Sequence, residues 1–227
     1  MKTAIVILVC FFMPILFTIG FYRKQKGLWV SFMVGMLAFV ISQMIIRLPL
    51  LSIITQQYAI SLFTLKHPIL YILILAFTAG LFEETARWIG FQCIKKKHST
   101  IYDAFAFGLG HGGIEAILLV GIPLLSVSTD ISSVLLACGE RIIAIAFHVA
   151  MSIIVWYGVK EHKNQYTIVA ILLHMLLDCS VILGNQVWIV EGYILILTII
   201  VWILLYQKII KKEMKTEMML YSSRKGR

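Results

Sequence analysis

Seven stretches of this chain stay apolar for about twenty residues at a time, and that repetition limits its fold more than any other feature. They run from about Thr3 to Tyr22, Gly27 to Ile46, Pro68 to Ile94, Thr100 to Ile122, Ile131 to Val159, Gln165 to Leu183 and Val187 to Tyr206. Roughly 20 apolar residues make a helix as long as the hydrocarbon core is thick. The pattern therefore predicts an all-α, polytopic transmembrane helix bundle of about seven spans. An eighth span is open, because residues 49–66 are also apolar, though interrupted by Gln56, Gln57 and Ser61; they read as an outer loop or an interfacial helix.

Charge supports the same class. Only 14% of residues are charged and 60% are hydrophobic, whereas soluble domains carry about 25% charge and 45–50% apolar residues. The net charge of +9 does not point to nucleic acid. Its lysines and arginines cluster between spans, where they set orientation. Arg23, Lys24 and Lys26, then Lys95–Lys97, Lys160 and Lys163, and the tail fall on one side; Lys2, Arg47 and Lys66 fall on the other. The expectation is one membrane domain over 1–207 with its amino terminus outside, and a basic cytosolic tail over 208–227. The first span has no small-x-small cleavage site and reads as a retained helix. Ser99 or Thr100 should cap the fourth span, and Ser128 to Asp130 the fifth. Cys10, Cys93, Cys138 and Cys179 sit on separate apolar segments with no C-x-x-C pair, so they read as free thiols.

The third span contains Glu83, Glu84 and Arg87. Each ionisable side chain near the bilayer centre costs about 2.5–3.5 kcal/mol on an insertion scale, so the default reading is a site facing the bundle interior. Counting from the basic loops gives depth. Glu83 lies 12 residues before Lys95, His111 14 after Lys97, His148 12 before Lys160 and His174 11 after Lys163. At 1.5 Å per residue all four reach roughly 16–21 Å from the cytosolic edge. Each has a polar companion four residues on, and thus on the same helix face: Arg87, Glu115, Ser152 and Asp178. An ion pair that only ties helices together would use one acid and leave the second over.

Such a cluster suits hydrolysis. A glutamate beside a cation can take a proton from water, and histidines can relay it or donate to an oxyanion. Alternatively, His111, His148 and His174 are plausible ligands for zinc. Glu115 and Ser152 would stand behind the site residues, Glu115 by fixing a nitrogen of His111. Glu140 and Arg141, about 20 residues outward of Lys160, read as structural groups snorkelling to the outer interface.

Three motifs occur in order on three spans: Glu83-Glu84-x-x-Arg87, Phe107-x-x-x-His111 and His174-x-x-x-Asp178. Together they resemble the motifs of the CAAX-protease and bacteriocin-processing group of intramembrane proteases. The form His111-Gly112-Gly113-x-Glu115 is similar to that of the YhfC-type branch. The resemblance covers about residues 68–183. It implies an intramembrane endopeptidase, glutamic or metal-dependent, with catalytic residues Glu83, Glu84, Arg87, His111, His174 and Asp178. Glu83 or Glu84 is the base, His111 assists, and His174 with Asp178 stabilises the oxyanion; the metal alternative leaves a zinc ion on the histidines. The expected partners are the lipid bilayer and a membrane protein or peptide substrate, in a bacterial cell membrane, cut near the cytosolic half. Two other classes stay in view: a proton-coupled transporter, which needs polar residues continuing to both faces, and a non-catalytic immunity or scaffold protein.

Overall fold

The computed structural model describes residues 2–22, 25–94, 100–184 and 186–216. Arg23, Lys24, Lys95–Lys97 and the tail beyond Thr216, used above for orientation, lie outside the described residues. Eight helices follow one another among the described residues: α1 (Lys2–Phe21), α2 (Leu28–Thr55), α3 (Tyr58–Lys66), α4 (Pro68–Ile94), α5 (Ile101–Ser126), α6 (Ile131–Lys160), α7 (Gln165–Leu183) and α8 (Val187–Thr216). All but α3 are long and apolar enough to cross a membrane, and no strand occurs among the described residues. The protein is an all-α, multi-pass membrane bundle.

Three helices outrun their expected ends. α2 continues past Ile46 to Thr55, α5 passes through Pro123 to Ser126, and α8 continues past Tyr206 to Thr216. The stretch expected as a loop or interfacial helix is therefore divided. Its first part extends α2, and its second is the nine-residue α3, which at about 14 Å is too short to cross.

The prolines explain why helices go on where a stop was expected. An internal proline cannot donate to the carbonyl four residues back, and its ring collides with that carbonyl. Here Pro14, Pro49 and Pro123 are each preceded, two residues earlier, by the end of a wider π-helical segment: Ile7–Phe12, Val40–Arg47 and Ala116–Gly121. Shifting hydrogen bonds to the fifth residue makes room for the ring without ending the helix. Pro68, the fourth proline, opens α4, where no donor is needed.

The caps match expectation. Thr100 and Asp103 form a capping box at α5, and Asp103 also accepts from Ser31 and Gln25, tying the α1–α2 turn to this end of the bundle. Asp130 caps α6, and its bonds from Ser132 and Ser133 hold its carboxyl well below the usual carboxylate range.

α5 packs between α2 and α6. Its glycines permit the contact. A Cβ at Gly110 would lie 2.0 Å from the Phe32 carbonyl oxygen, and one at Gly108 2.4 Å from the Cα of Val149. Small residues at such crossings let backbones meet in lipid, where packing rather than water drives association. α6 is the central post: every residue from Phe147 to Val159 is buried. Exposed Leu8, Leu16, Ile45, Ile168 and Ile196 lie on the periphery, the surface a bilayer would cover.

Candidate active site

Four helices deliver one polar cluster. α4 brings Glu83, Glu84 and Arg87, all buried; α5 brings His111 and Glu115; α6 brings His148 and Ser152; α7 brings His174 and Asp178. The equal depths counted along the sequence correspond to real contact.

Glu83 is the hub. Its Oε2 lies 3.0 Å from His111 Nε2, 3.7 Å from His174 Nε2 and 3.9 Å from His148 Nδ1. Its Oε1 accepts from Gln43 Nε2 at 2.8 Å. Two of the rings are held from behind by other carboxylates. His174 Nδ1 is 2.8 Å from Glu84 Oε1, and His148 Nε2 is 2.5 Å from Glu115 Oε2. Each of these imidazoles thus has one nitrogen on a carboxylate and the other turned toward Glu83. That arrangement fixes tautomer and ring plane.

The cations are equally committed. Arg87 Nε sits 2.9 Å from Glu84 Oε2, and Nη1 donates to the His148 carbonyl at 2.9 Å and to Ser152 Oγ at 2.5 Å. Its Nη2 lies 3.3 Å from His148 Nδ1. Arg141 Nη1 donates to Glu115 Oε1 at 2.8 Å and also bonds Glu140. Arg47 donates to Gln43 Oε1 at 3.0 Å, to the Leu75 carbonyl at 2.7 Å and to Thr78. A buried charge is tolerable only when paired and hydrogen-bonded; Arg87 and Arg141 are paired with carboxylates, while the half-buried Arg47 is held, among the described residues, by neutral acceptors alone.

Several sequence-based assignments change in detail. Glu115 holds His148, not His111, because α5 turns it toward α6. Ser152 stands behind Arg87, accepting from its Nη1. Arg141 does not snorkel; it anchors Glu115. Asp178 stands at the edge, 3.9 Å from His174 Nε2 and partly exposed. Gln43 carries no assignment from the sequence, and Arg47 enters there only as an orienting charge. The available signal was a glutamine inside an apolar span with an arginine four residues on.

For a metal, the group with converging donors is Glu83, His148 and His174, whose ligand atoms lie within 4.8 Å of one another. His111, a ligand candidate from sequence, is engaged through Nε2 with Glu83, and its Nδ1 has no hydrogen-bond partner among the described residues. Two imidazoles and a carboxylate, with both imidazoles backed by carboxylates, fit a divalent cation.

The cluster forms the floor of a cavity of about 880 Å3. Phe39, Leu75, Ala76 and Ala79 line it on one side, and Leu177, Val181, Val187 and Ile194 on another. Asp178, Glu140 and Glu191 face into it. A volume of this size suits an extended peptide segment and water.

Comparison with known proteins gives an independent result. A family model described as "YhfC intramembrane metalloprotease" matches residues 6–134 and 125–201. A protein of Bacillus subtilis (strain 168), described as the uncharacterized membrane protein YhfC, is 28% identical over 211 residues, 78% of this chain and 82% of the relative. No solved structure matches.

Proposed function

The chain belongs to the YhfC intramembrane metalloprotease family, and from that premise we propose that it is an intramembrane endopeptidase hydrolysing a peptide bond of a membrane-associated protein or peptide. One observation carries the reading: a carboxylate ringed by three imidazoles from three other helices, at the floor of a cavity wide enough for a chain segment.

Glu83, His148 and His174 are the residues that would hold a divalent ion. Such an ion supplies Lewis acidity toward a carbonyl oxygen and toward water. The remaining chemistry belongs to the chain. When no ion engages Glu83, it and His111, in contact at 3.0 Å, form an acid–base couple: a proton taken from water is shared across that pair and returned to the leaving amine. Gln43, itself held by Arg47, fixes one oxygen of Glu83 and so leaves the other facing the rings. Glu84 and Glu115 orient His174 and His148. Arg87 offsets the charge of Glu84 and locks α4 to α6. Asp178, at the cavity edge, is placed to contact the substrate amide.

A transport relay needs polar steps toward both faces. On the α4 side facing Lys160, the next layers after Arg87 are Phe91 and Phe107, stacked 4.3 Å apart and buried. That closed wall favours a site over a pathway.

The test needs no known substrate. Membranes from cells expressing wild type and Glu83→Gln are compared by mapping new amino termini. Termini present with wild type and absent with Glu83→Gln are expected; identical termini would end the peptidase reading.

A further inference from the structure

The cavity has a direction. On every helix that lines it, the lining residues sit level with the Glu83 hub or beyond it toward one face of the bundle. On α4 they are Ile72 to Glu83, although the helix runs on to Ile94. On α6 they are Glu140 to His148, although the helix runs on to Lys160. On α7, which runs the other way, they are His174 to Val181, and none precedes His174. α8 contributes only its first turns, Val187 to Ile194. The cavity therefore opens beside Gly184 and Val187. The opposite half is closely packed along α5 and α6: α6 is buried continuously from Phe147 to Val159, and Ile101, Ala104 and Phe107 are wholly buried beside it. A groove of about 520 Å3 between α6 and α8 does reach toward that face, along Ala146, Trp202 and Tyr206, but no residue of the Glu83 cluster lines it.

Charge distinguishes the two faces. The closed half ends at Lys26, Lys160, Lys163, Lys208, Lys211, Lys212 and Lys215. Lys160 pairs with Glu213 there, which puts the ends of α6 and α8 together. The open half ends with Lys2, Arg47 and Lys66; Lys2 donates to the Thr129 carbonyl, joining the start of α1 to the α5–α6 turn. Arg47 is turned inward onto Gln43. Basic residues near span ends collect in the cytosol.

We propose that the active-site cavity is entered from the extracytoplasmic side, so that the substrate is a polypeptide segment presented on the outer half of the membrane, such as the stub of an exported or outward-facing membrane protein. This rests on the peptidase reading for the word substrate, but the direction of entry does not. It replaces the expectation of cleavage near the cytosolic half. Depth alone placed the four polar groups near the midplane, and only packing reveals which side of them is filled.

The experiment is site-directed thiol labelling. Cys10, Cys93, Cys138 and Cys179 are replaced by alanine, and single cysteines are introduced at Ala144, which lines the cavity four residues from His148, at Glu191 in the mouth, and at Lys163 in the exposed turn of the basic face. A charged, membrane-impermeant methanethiosulfonate is applied to intact cells and to inverted vesicles. Each variant is also labelled after denaturation, to show that the thiol is present and reactive. Ala144→Cys and Glu191→Cys should label at least tenfold faster in intact cells, and Lys163→Cys at least tenfold faster in inverted vesicles. The proposal is overturned if either cavity cysteine labels faster in inverted vesicles than in intact cells, or from the side that labels Lys163→Cys. It is equally overturned if both stay silent from both sides while labelling normally when denatured. Labelling reads access whether or not the protein cleaves anything, so its outcome is separate from that of the terminus mapping.

Discussion

Replacing Arg87 by methionine should be among the most damaging single changes this protein can suffer, and the damage should be largely reversible by a second change. Methionine keeps the apolar stem and much of the volume. It removes the partner of Glu84, a residue with no exposed surface, whose remaining contact is His174 Nδ1. Breaking a buried ion pair from one side costs about 3–5 kcal/mol, because the other charge stays behind unpaired. The His148 carbonyl and Ser152 also lose their donor. Adding Glu84→Gln removes the stranded charge, so the double variant should regain at least about 2 kcal/mol, a coupling expected of residues in direct contact. Lysine at 87 should fall between, since a point charge cannot reproduce the fork that spans Glu84 and Ser152. The assay is equilibrium unfolding of wild type, both singles and the double in mixed lipid–SDS micelles, followed by tryptophan fluorescence. An Arg87→Met variant within about 1 kcal/mol of wild type, or a double variant as unstable as the sum of its parts, would show that this pair does not hold α4 to α6 and α7 as argued.

Three further outcomes follow from the geometry. Gln43→Leu removes a buried bond to a carboxylate, worth about 1.5–3 kcal/mol; the rate constant for cleavage of a mapped substrate should fall roughly 10- to 100-fold with KM nearly unchanged, and an unaltered rate would remove Gln43 from the site. Purified protein should contain a divalent ion by elemental analysis, lost in His174→Ala and weakened roughly 10- to 100-fold in Glu115→Gln through the ring it supports; full turnover in chelated, metal-free protein would refute the metal assignment while leaving the glutamate–histidine couple intact. Gly108→Ala puts a methyl group 2.4 Å from the Val149 backbone, and overpacking of this kind costs about 1–3 kcal/mol; a melting temperature equal to that of wild type would mean α5 and α6 are less tightly docked than described.

Much of this site could be read along the chain because the bilayer acts as a ruler. Helical rise and the basic loops placed Glu83, His111, His148 and His174 at one level, and level was enough to suggest contact. Which neighbour each group chooses was not legible, since that depends on how α5 and α6 are rotated about their axes. Hence Glu115 was paired in expectation with His111 and in fact holds His148, and Arg141 looked like an interfacial residue until α5 supplied its partner. Gln43 was passed over because an uncharged amide barely interrupts an apolar span. Helix ends were misjudged for a different reason: Pro123 breaks helices in water, whereas in lipid an unsatisfied backbone is costlier than a widened turn.

Those widened turns have a consequence for how such chains diverge. A π turn holds one residue more than the α turn it replaces, so each of Pro14, Pro49 and Pro123 is coupled to an extra residue just upstream. Losing Pro49 alone would invite the segment from Val40 to Arg47 to rewind, swinging the glutamine and arginine it carries toward lipid. Relatives that lack a proline there should also be one residue shorter before it, a paired deletion that preserves the azimuth of everything downstream.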